Sequence, residues 1–166
     1  MQGVCITGGE PLIHGEELTD FIKFLKDLGY LIKIDTNGTF PHRLKQIDPD
    51  YIAMDIKTSF DKYNLMGFTG MDAAEKLGES IDYILNSGIK YEFRTTVVPG
   101  LVNYDDIDKM SDIIKGADNY TLSQFRPGKT LDKESSLIEP YDISILEKMK
   151  SICDGKDIKT KIRDNK

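Results

Sequence analysis

The sequence predicts an α/β fold with parallel strands, on two observations. Short runs rich in β-branched and aromatic residues alternate with amphipathic helical stretches, and polar motifs gather where the runs end. A strand–helix–strand succession implies parallel pairing, because the crossover helix returns the chain to the same edge. The strand candidates are residues 3–7, YLIKID (30–35), YIAMDI (51–56), YEFRTTVV (91–98) and NYTLSQF (119–125). Leu18, Phe21, Ile22, Leu25 and Leu28 recur at helical spacing and stop at Gly29, predicting a helix whose apolar face covers the sheet. Ala74, Leu77, Ile81, Ile84 and Leu85 predict a second helix before Gly88. Ile107, Met110, Ile113 and Ile114 follow a candidate Asn103 cap and end at Gly116, and Ile143, Leu146, Met149 and Ile152 follow Pro140. A weaker helical turn is expected around residues 42–47.

With 166 residues, 39% of them hydrophobic, the chain is long enough for one domain (1–166) with one core. A net charge of −6 with no basic cluster argues against a nucleic-acid or anionic-membrane surface. No run of ~18 apolar residues could span a bilayer and no segment resembles a signal peptide, so a cytoplasmic protein is expected. Cys5 and Cys153, the two cysteines, lie far apart in sequence and read as buried small hydrophobes rather than a disulfide framework.

The polar motifs are TGGE (7–10), DTNG (35–38), DIK (55–57), TTVVPG (95–100) and QFRPG (124–128). In parallel α/β proteins the carboxyl ends of the strands share a face on which loops build the ligand site, so these motifs are expected to converge. Gly8 and Gly9 allow close backbone approach by a ligand, and Pro11 restricts the loop that offers Glu10; an ordinary strand-to-helix turn reads equally from this stretch. In YIAMDIK, alternation puts Ile52, Met54 and Ile56 on one side and Ala53, Asp55 and Lys57 on the other. A carboxylate and an ammonium facing inward must pair with each other or meet a ligand. Asp35 and Asp55, at the ends of neighbouring strands, call for a cation or a shared proton. A small oxygen-lined site for Na⁺, K⁺ or Mg²⁺ at Asp35, Thr36, Asp55 and the Ala53 carbonyl is one reading, and two independent turn caps are the other.

Taken in order, TGGEP, DTNG, MDIK, FRTTVVPG and LSQFRPGKTLD resemble the radical S-adenosylmethionine enzymes, and within them the glycyl-radical-enzyme activases. The resemblance runs over about residues 3–132 and is most like the anaerobic ribonucleotide reductase activating proteins, with the pyruvate formate-lyase activating enzymes close by. It implies a partial TIM-type barrel, (β/α)6 in the family, here expected to lack its first β/α unit. It also implies that Thr7, Gly8, Gly9 and Glu10 hold the methionine amino end of S-adenosylmethionine and that Lys57 and Arg94 neutralise its carboxylate. Asn37 and Gln124 are implied as further cofactor-binding residues, and Asp35, Thr36 and Asp55 as a monovalent-cation site. In the family a reduced four-iron four-sulfur cluster donates an electron to the bound sulfonium, and the resulting deoxyadenosyl radical takes hydrogen from a glycine of the partner enzyme. The implied partners are a glycyl radical enzyme, of ribonucleotide reductase or formate-lyase type, and an electron donor such as flavodoxin or ferredoxin.

The chain departs from that pattern in having no C-x3-C-x2-C triplet for the cluster. The resemblance therefore implies a truncated core, inactive alone. Phe125 stands where the formate-lyase activases place a histidine, which favours the reductase type. A phosphate-binding enzyme using Gly8, Gly9 and Lys57 is a second reading, though the G-x4-G-K-[ST] pattern is absent. A non-catalytic scaffold that docks a glycyl radical enzyme is a third. Sheet physics adds one expectation: residues 3–7 form an apolar edge without Lys or Pro to guard it, so a homodimer through that edge is expected unless DIKTKI (157–162) folds back to cover an edge.

Overall fold

A computed structural model describes residues 2–67, 72–127 and 137–164. The chain runs β1 (Gly3–Ile6), α1 (Glu16–Asp27), β2 (Leu31–Thr36), α2 (Pro41–Leu44), β3 (Tyr51–Asp55), α3 (Asp72–Asn86), β4 (Lys90–Val97), α4 (Tyr104–Ile113), β5 (Tyr120–Gln124), α5 (Ile143–Asp154) and β6 (Thr160–Arg163). Short 3-10 turns occupy Pro11–His14 and Phe60–Met66. The six strands are parallel and lie in one sheet in chain order, the α/β class that the alternation predicts. Two compact units divide the chain, residues 1–56 with 63–93 and residues 57–62 with 94–166.

In the first unit the pleat sorts side chains by chemistry. β1 aligns Val4 with Ile32 of β2, and β2 aligns Ile34 with Ile52 of β3. Ile32, Ile34, Ile52 and Met54 are at most 1% exposed, as are Leu77 and Ile84 of α3. The alternate positions carry Cys5, Lys33, Asp35 and Tyr51. Lys33 Nζ lies 3.4 Å from Asp35 Oδ1 and 3.2 Å from Glu92 Oε1, with the Tyr51 ring centroid 5.5 Å away.

Two sequence expectations are corrected here. Leu18, Ile22 and Leu25 of α1 are buried, but Phe21 and Leu28, expected on the same face, are 48% and 59% exposed. At 3.6 residues per turn those two, with Phe24, lie about a quarter turn from the buried stripe, and one sheet contact cannot cover both. Cys5, expected in the core, is exposed. It falls on the polar face of a strand at the end of the sheet, where its Sγ donates to Asp35 Oδ1 at 3.7 Å. Cys153 is buried as expected; burial pushes its thiol up, partly offset by Ser111 Oγ donating to Sγ at 3.3 Å.

In the second unit residues 160–163 form β6 beside β5, with Tyr120 aligned to Thr160, so the DIKTKI stretch does fold back to cover an edge, the alternative offered to pairing through residues 3–7. The segment thus covers the β5 side and leaves β1 as the other end of the sheet. Asn103 caps α4 as expected, in a reciprocal capping box with Asp106. The 3-10 turn at Phe60–Met66, which no periodicity announced, is tied to α4 through Asp106. Its carboxylate accepts from Ser59 Oγ at 2.7 Å, pairs with Lys62 Nζ at 2.7 Å and accepts from the Asn103 N–H at 2.9 Å.

Burial alone would push the Asp106 carboxyl up, but Lys62, Ser59 and Asn103 outweigh it and hold it below the ordinary carboxylate value. A depressed folded pKa contributes stability that is fully present above the unfolded value of about 3.9 and is lost as pH falls through the folded value. The chain should therefore lose stability more steeply than Asp106→Asn as pH is lowered from about 5 to about 3. Urea midpoints for the two proteins across that range check this; parallel profiles would remove Asp106 from the acid response.

Candidate functional site

In the first unit two of the polar motifs, TGGE and DTNG, meet around Glu10. β1 ends at Ile6, and Gly8 and Gly9 turn the chain with φ of 96° and 52°, angles that side chains rarely adopt. A Cβ at either glycine would meet nothing within 4 Å, so this backbone borders open space. Pro11 starts the 3-10 turn and Glu10 caps it, accepting from the Leu12 N–H at 3.2 Å through Oε1. The same Oε1 accepts from Thr36 Oγ1 at 2.8 Å, and Oε2 accepts from the Asn37 N–H at 2.6 Å. Glu10 is 8% exposed and Thr36 is 3% exposed. Its carboxylate thus braces the TGGE loop against the end of β2, a role the motif alone does not reveal.

The Asn-Gly turn after β2 is held as closely. Asn37 Oδ1 accepts from the Thr39 N–H at 2.9 Å, and Ser80 Oγ of α3 donates to the Gly38 carbonyl at 2.7 Å. Gly38 has φ 77°, and a Cβ there would stand 2.1 Å from Met54 Cε and 2.9 Å from Met54 Sδ. Arg43 Nη1 donates to the carbonyls of Leu12 and Ile13 at 2.8 and 2.6 Å and holds the loop from the other side. Sequence reasoning missed Ser80 and Arg43, because a lone Ser within a helix and an Arg after Pro-His carry no local signal.

Asp35 and Thr36, the expected cation ligands on β2, have side chains on opposite faces. Asp35 faces Lys33 and Cys5, whereas the Thr36 hydroxyl faces Glu10. Asp55, the third, ends β3 half-buried. Among the described residues no three His, Cys, Asp or Glu side chains gather as a metal site.

The second unit holds Lys57, Arg94 and Gln124. Lys57 follows β3 and Arg94 lies within β4, both half-buried. Gln124 ends β5 and its Nε2 donates to the Tyr141 carbonyl at 2.6 Å. Its Oε1 is buried and accepts from no donor among the described residues. Such an atom carries a desolvation cost that a ligand donor would relieve. The end of the LSQFRPGKTLD motif, residues 128–132, lies outside the described residues.

The radical SAM superfamily model matches residues 1–114. The chain belongs to the radical SAM superfamily. It is 33% identical over 138 residues to a Methanocaldococcus jannaschii protein named as a glycyl-radical enzyme activating enzyme, covering 79% of this chain and 58% of that one. It is 29% identical over 153 residues to a pyruvate formate-lyase-activating enzyme of Clostridium pasteurianum, covering 89% of this chain and 63% of that one. The chain therefore spans about three fifths of these curated relatives. A solved domain of a pyruvate-formate lyase-activating enzyme from Bacteroides vulgatus shares the fold with a TM-score of 0.76 at 18% identity, over 98% of this chain and 99% of that one. No helix among the described residues is long and apolar enough to cross a membrane.

Superfamily membership implies S-adenosylmethionine and a four-iron four-sulfur cluster. The residues present are compatible with the first within each unit taken by itself: open backbone at Gly8–Gly9 in one, and in the other a buried Gln124 Oε1 that accepts from no donor among the described residues. They do not fit the second, since two cysteines, one exposed and one buried, do not make a three-thiolate set.

Proposed function

We propose that the chain is the S-adenosylmethionine-binding core of a glycyl-radical activase whose target is an anaerobic ribonucleotide reductase. The relatives support a formate-lyase type of target equally well. The observation that carries the ligand reading is Gln124 Oε1, a buried acceptor without a donor among the described residues, on a residue that the resemblance assigns to the cofactor. In this reading the backbone at Thr7, Gly8 and Gly9 receives the methionine amino group and Glu10 fixes that loop. Lys57 and Arg94 take the carboxylate and Gln124 accepts from the nucleoside end, with Asn37 close to the cofactor. Bound S-adenosylmethionine would supply hydrogen-abstracting chemistry, and Cys5 and Cys153 do not make the ligand set of the iron–sulfur cluster that would have to reduce it. An electron donor of flavodoxin or ferredoxin type, a cytoplasmic setting and a monovalent cation at Asp35, Thr36 and Asp55 complete the proposal, Thr36 offering its backbone carbonyl because its hydroxyl is bonded to Glu10.

Calorimetric titration of the chain with S-adenosylmethionine tests it. Binding is expected to be weak, and to fall by about 10- to 100-fold in Lys57→Ala, the range for losing one charge-assisted hydrogen bond. Gln124→Leu should lower affinity with little change in melting temperature, since it removes the orphaned acceptor together with the Nε2 donor of the Tyr141 carbonyl. Unchanged affinity in both variants would overturn the assignment. Replacing Na⁺ and K⁺ by choline should weaken binding if the cation belongs to the site. Anaerobic reconstitution should yield no stoichiometric iron, and a thiolate-to-iron absorbance at one cluster per chain would refute the inactivity of this chain by itself.

A further inference from the structure

We propose that Asp106 is a positioning residue for the cofactor: it clamps the segment after β3 so that the Lys57 ammonium is held where, with Arg94, it meets the methionine carboxylate of S-adenosylmethionine. This deepens the proposed role of Lys57 and Arg94 and rests on it. Lys57 opens the short segment 57–62, which forms one compact unit with residues 94–166. Arg94 lies within β4 and is placed by the strand itself. Lys57 stands two residues past the end of β3, so its place depends on what holds the segment that it opens.

That segment is tied residue by residue. Thr58 Oγ1 donates to the Leu101 carbonyl at 3.0 Å. The Asp106 carboxylate takes the next tie, accepting from Ser59 Oγ and pairing with Lys62 Nζ, each at 2.7 Å. One turn along α4, Lys109 Nζ pairs with Asp61 Oδ2 at 2.7 Å. Thr58 and Ser59 are 0% exposed and Asp106 is 1% exposed, so the ties at these three lie inside the unit. Their far ends belong to the connection that leaves β4. The Leu101 and Val102 N–H groups donate to the Val98 carbonyl at 3.1 and 2.9 Å, and the Asn103 N–H donates to the Asp106 carboxylate at 2.9 Å. The segment that carries Lys57 is thereby fixed to the turn that follows the strand of Arg94.

Stability alone is a poor reason for this arrangement. Burying a carboxylate with an ammonium costs desolvation that offsets most of their attraction, and apolar groups would hold the segment against α4 as firmly. Apolar packing would also let the segment slide, whereas bonds from Ser59, Lys62 and Asn103 to one carboxylate admit a single arrangement. Placement matters at Lys57 because a charge-assisted bond to a carboxylate forms only over about 2.7–2.9 Å. A shift of about 1 Å in the segment would forfeit much of it. Asp106→Asn keeps the size of the side chain but loses the charge that pairs with Lys62 and brings an NH₂ that cannot accept.

Calorimetry of the intact chain with two ligands tests this: S-adenosylmethionine, and its decarboxylated analogue, which keeps the sulfonium, the amine and the nucleoside. Asp106→Asn should weaken S-adenosylmethionine about tenfold and leave the analogue within about twofold of wild type. Lys62→Met, at a partly exposed position, should act in the same direction by about threefold, and Lys62→Arg should restore binding to within about twofold, so the test survives if Asp106→Asn does not fold. In a Lys57→Ala background Asp106→Asn should weaken S-adenosylmethionine by less than about twofold more, because the ammonium that it places is gone. Binding of the analogue also shows that each variant is folded. Equal weakening of both ligands would make the clamp structural only and overturn the proposal, as would S-adenosylmethionine affinity within about twofold of wild type in both Asp106→Asn and Lys62→Met. Unchanged affinity in Lys57→Ala alone would instead overturn the carboxylate reading on which the clamp rests.

Discussion

Glu10→Ala is expected to destabilise the protein by about 3 kcal/mol, lowering its melting temperature by about 6–12 °C. The carboxylate of Glu10 accepts from the Thr36 hydroxyl and from the backbone N–H groups of Leu12 and Asn37. Removing it leaves three donors, one on a side chain only 3% exposed, without their acceptor. Each buried donor left unsatisfied costs about 1–3 kcal/mol, and water entering the loop returns part of that. Glu10→Gln keeps one carbonyl acceptor and brings an NH₂ that cannot accept, so it should recover less than half of the loss. Thermal melts of the three proteins decide this, and a melting temperature within about 1 °C of wild type for Glu10→Ala would show that the loop is not braced by this residue. The same variant should weaken S-adenosylmethionine binding through displacement of Gly8 and Gly9, and the two readouts separate bracing from direct contact.

Gly38→Ala is expected to cost about 2–4 kcal/mol, from two independent causes. The backbone at Gly38 has φ 77°, where an L-residue loses about 1–2 kcal/mol. Its new Cβ would also stand 2.1 Å from Met54 Cε, and Met54 is 0% exposed, so the displaced thioether must move into a filled core. Met54→Ala in the same chain makes room for the Cβ and should relieve the steric part while leaving the backbone part. A double-mutant cycle measured by urea unfolding therefore expects a coupling of about 1–2 kcal/mol, and strict additivity would mean that the clash is absorbed elsewhere.

How far each feature could be read from the residues depended on how local its cause is. The alternation in YIAMDIK placed Ile52, Met54 and Ile56 in the core because the pleat acts residue by residue, and all three are at most 1% exposed. The Asn103 cap was legible for the same reason, its partner Asp106 being only three residues away. Likewise, the ordered motifs pointed to the superfamily before any geometry was known.

Long-range decisions could not be read that way. Glu10 meets Thr36 across 26 residues, and Ser80 meets the Gly38 carbonyl across 42, contacts that exist only once strands and helices have been brought side by side. Helical periodicity groups Phe21 and Leu28 with Leu18, Ile22 and Leu25, but only the sheet beneath α1 determines how wide a stripe is covered. Cys5 looked like a core residue by type, but the pleat puts it on the polar face of β1 beside Asp35, where it is exposed. By itself the sequence determined the parallel α/β class, the order of β1 to β5 with the four longer helices, and the motif residues, since these follow from periodicity and spacing along the chain. Tertiary structure alone decided that Glu10 is a brace and that Gln124 keeps a buried acceptor with no donor among the described residues, because each depends on which distant groups arrive alongside.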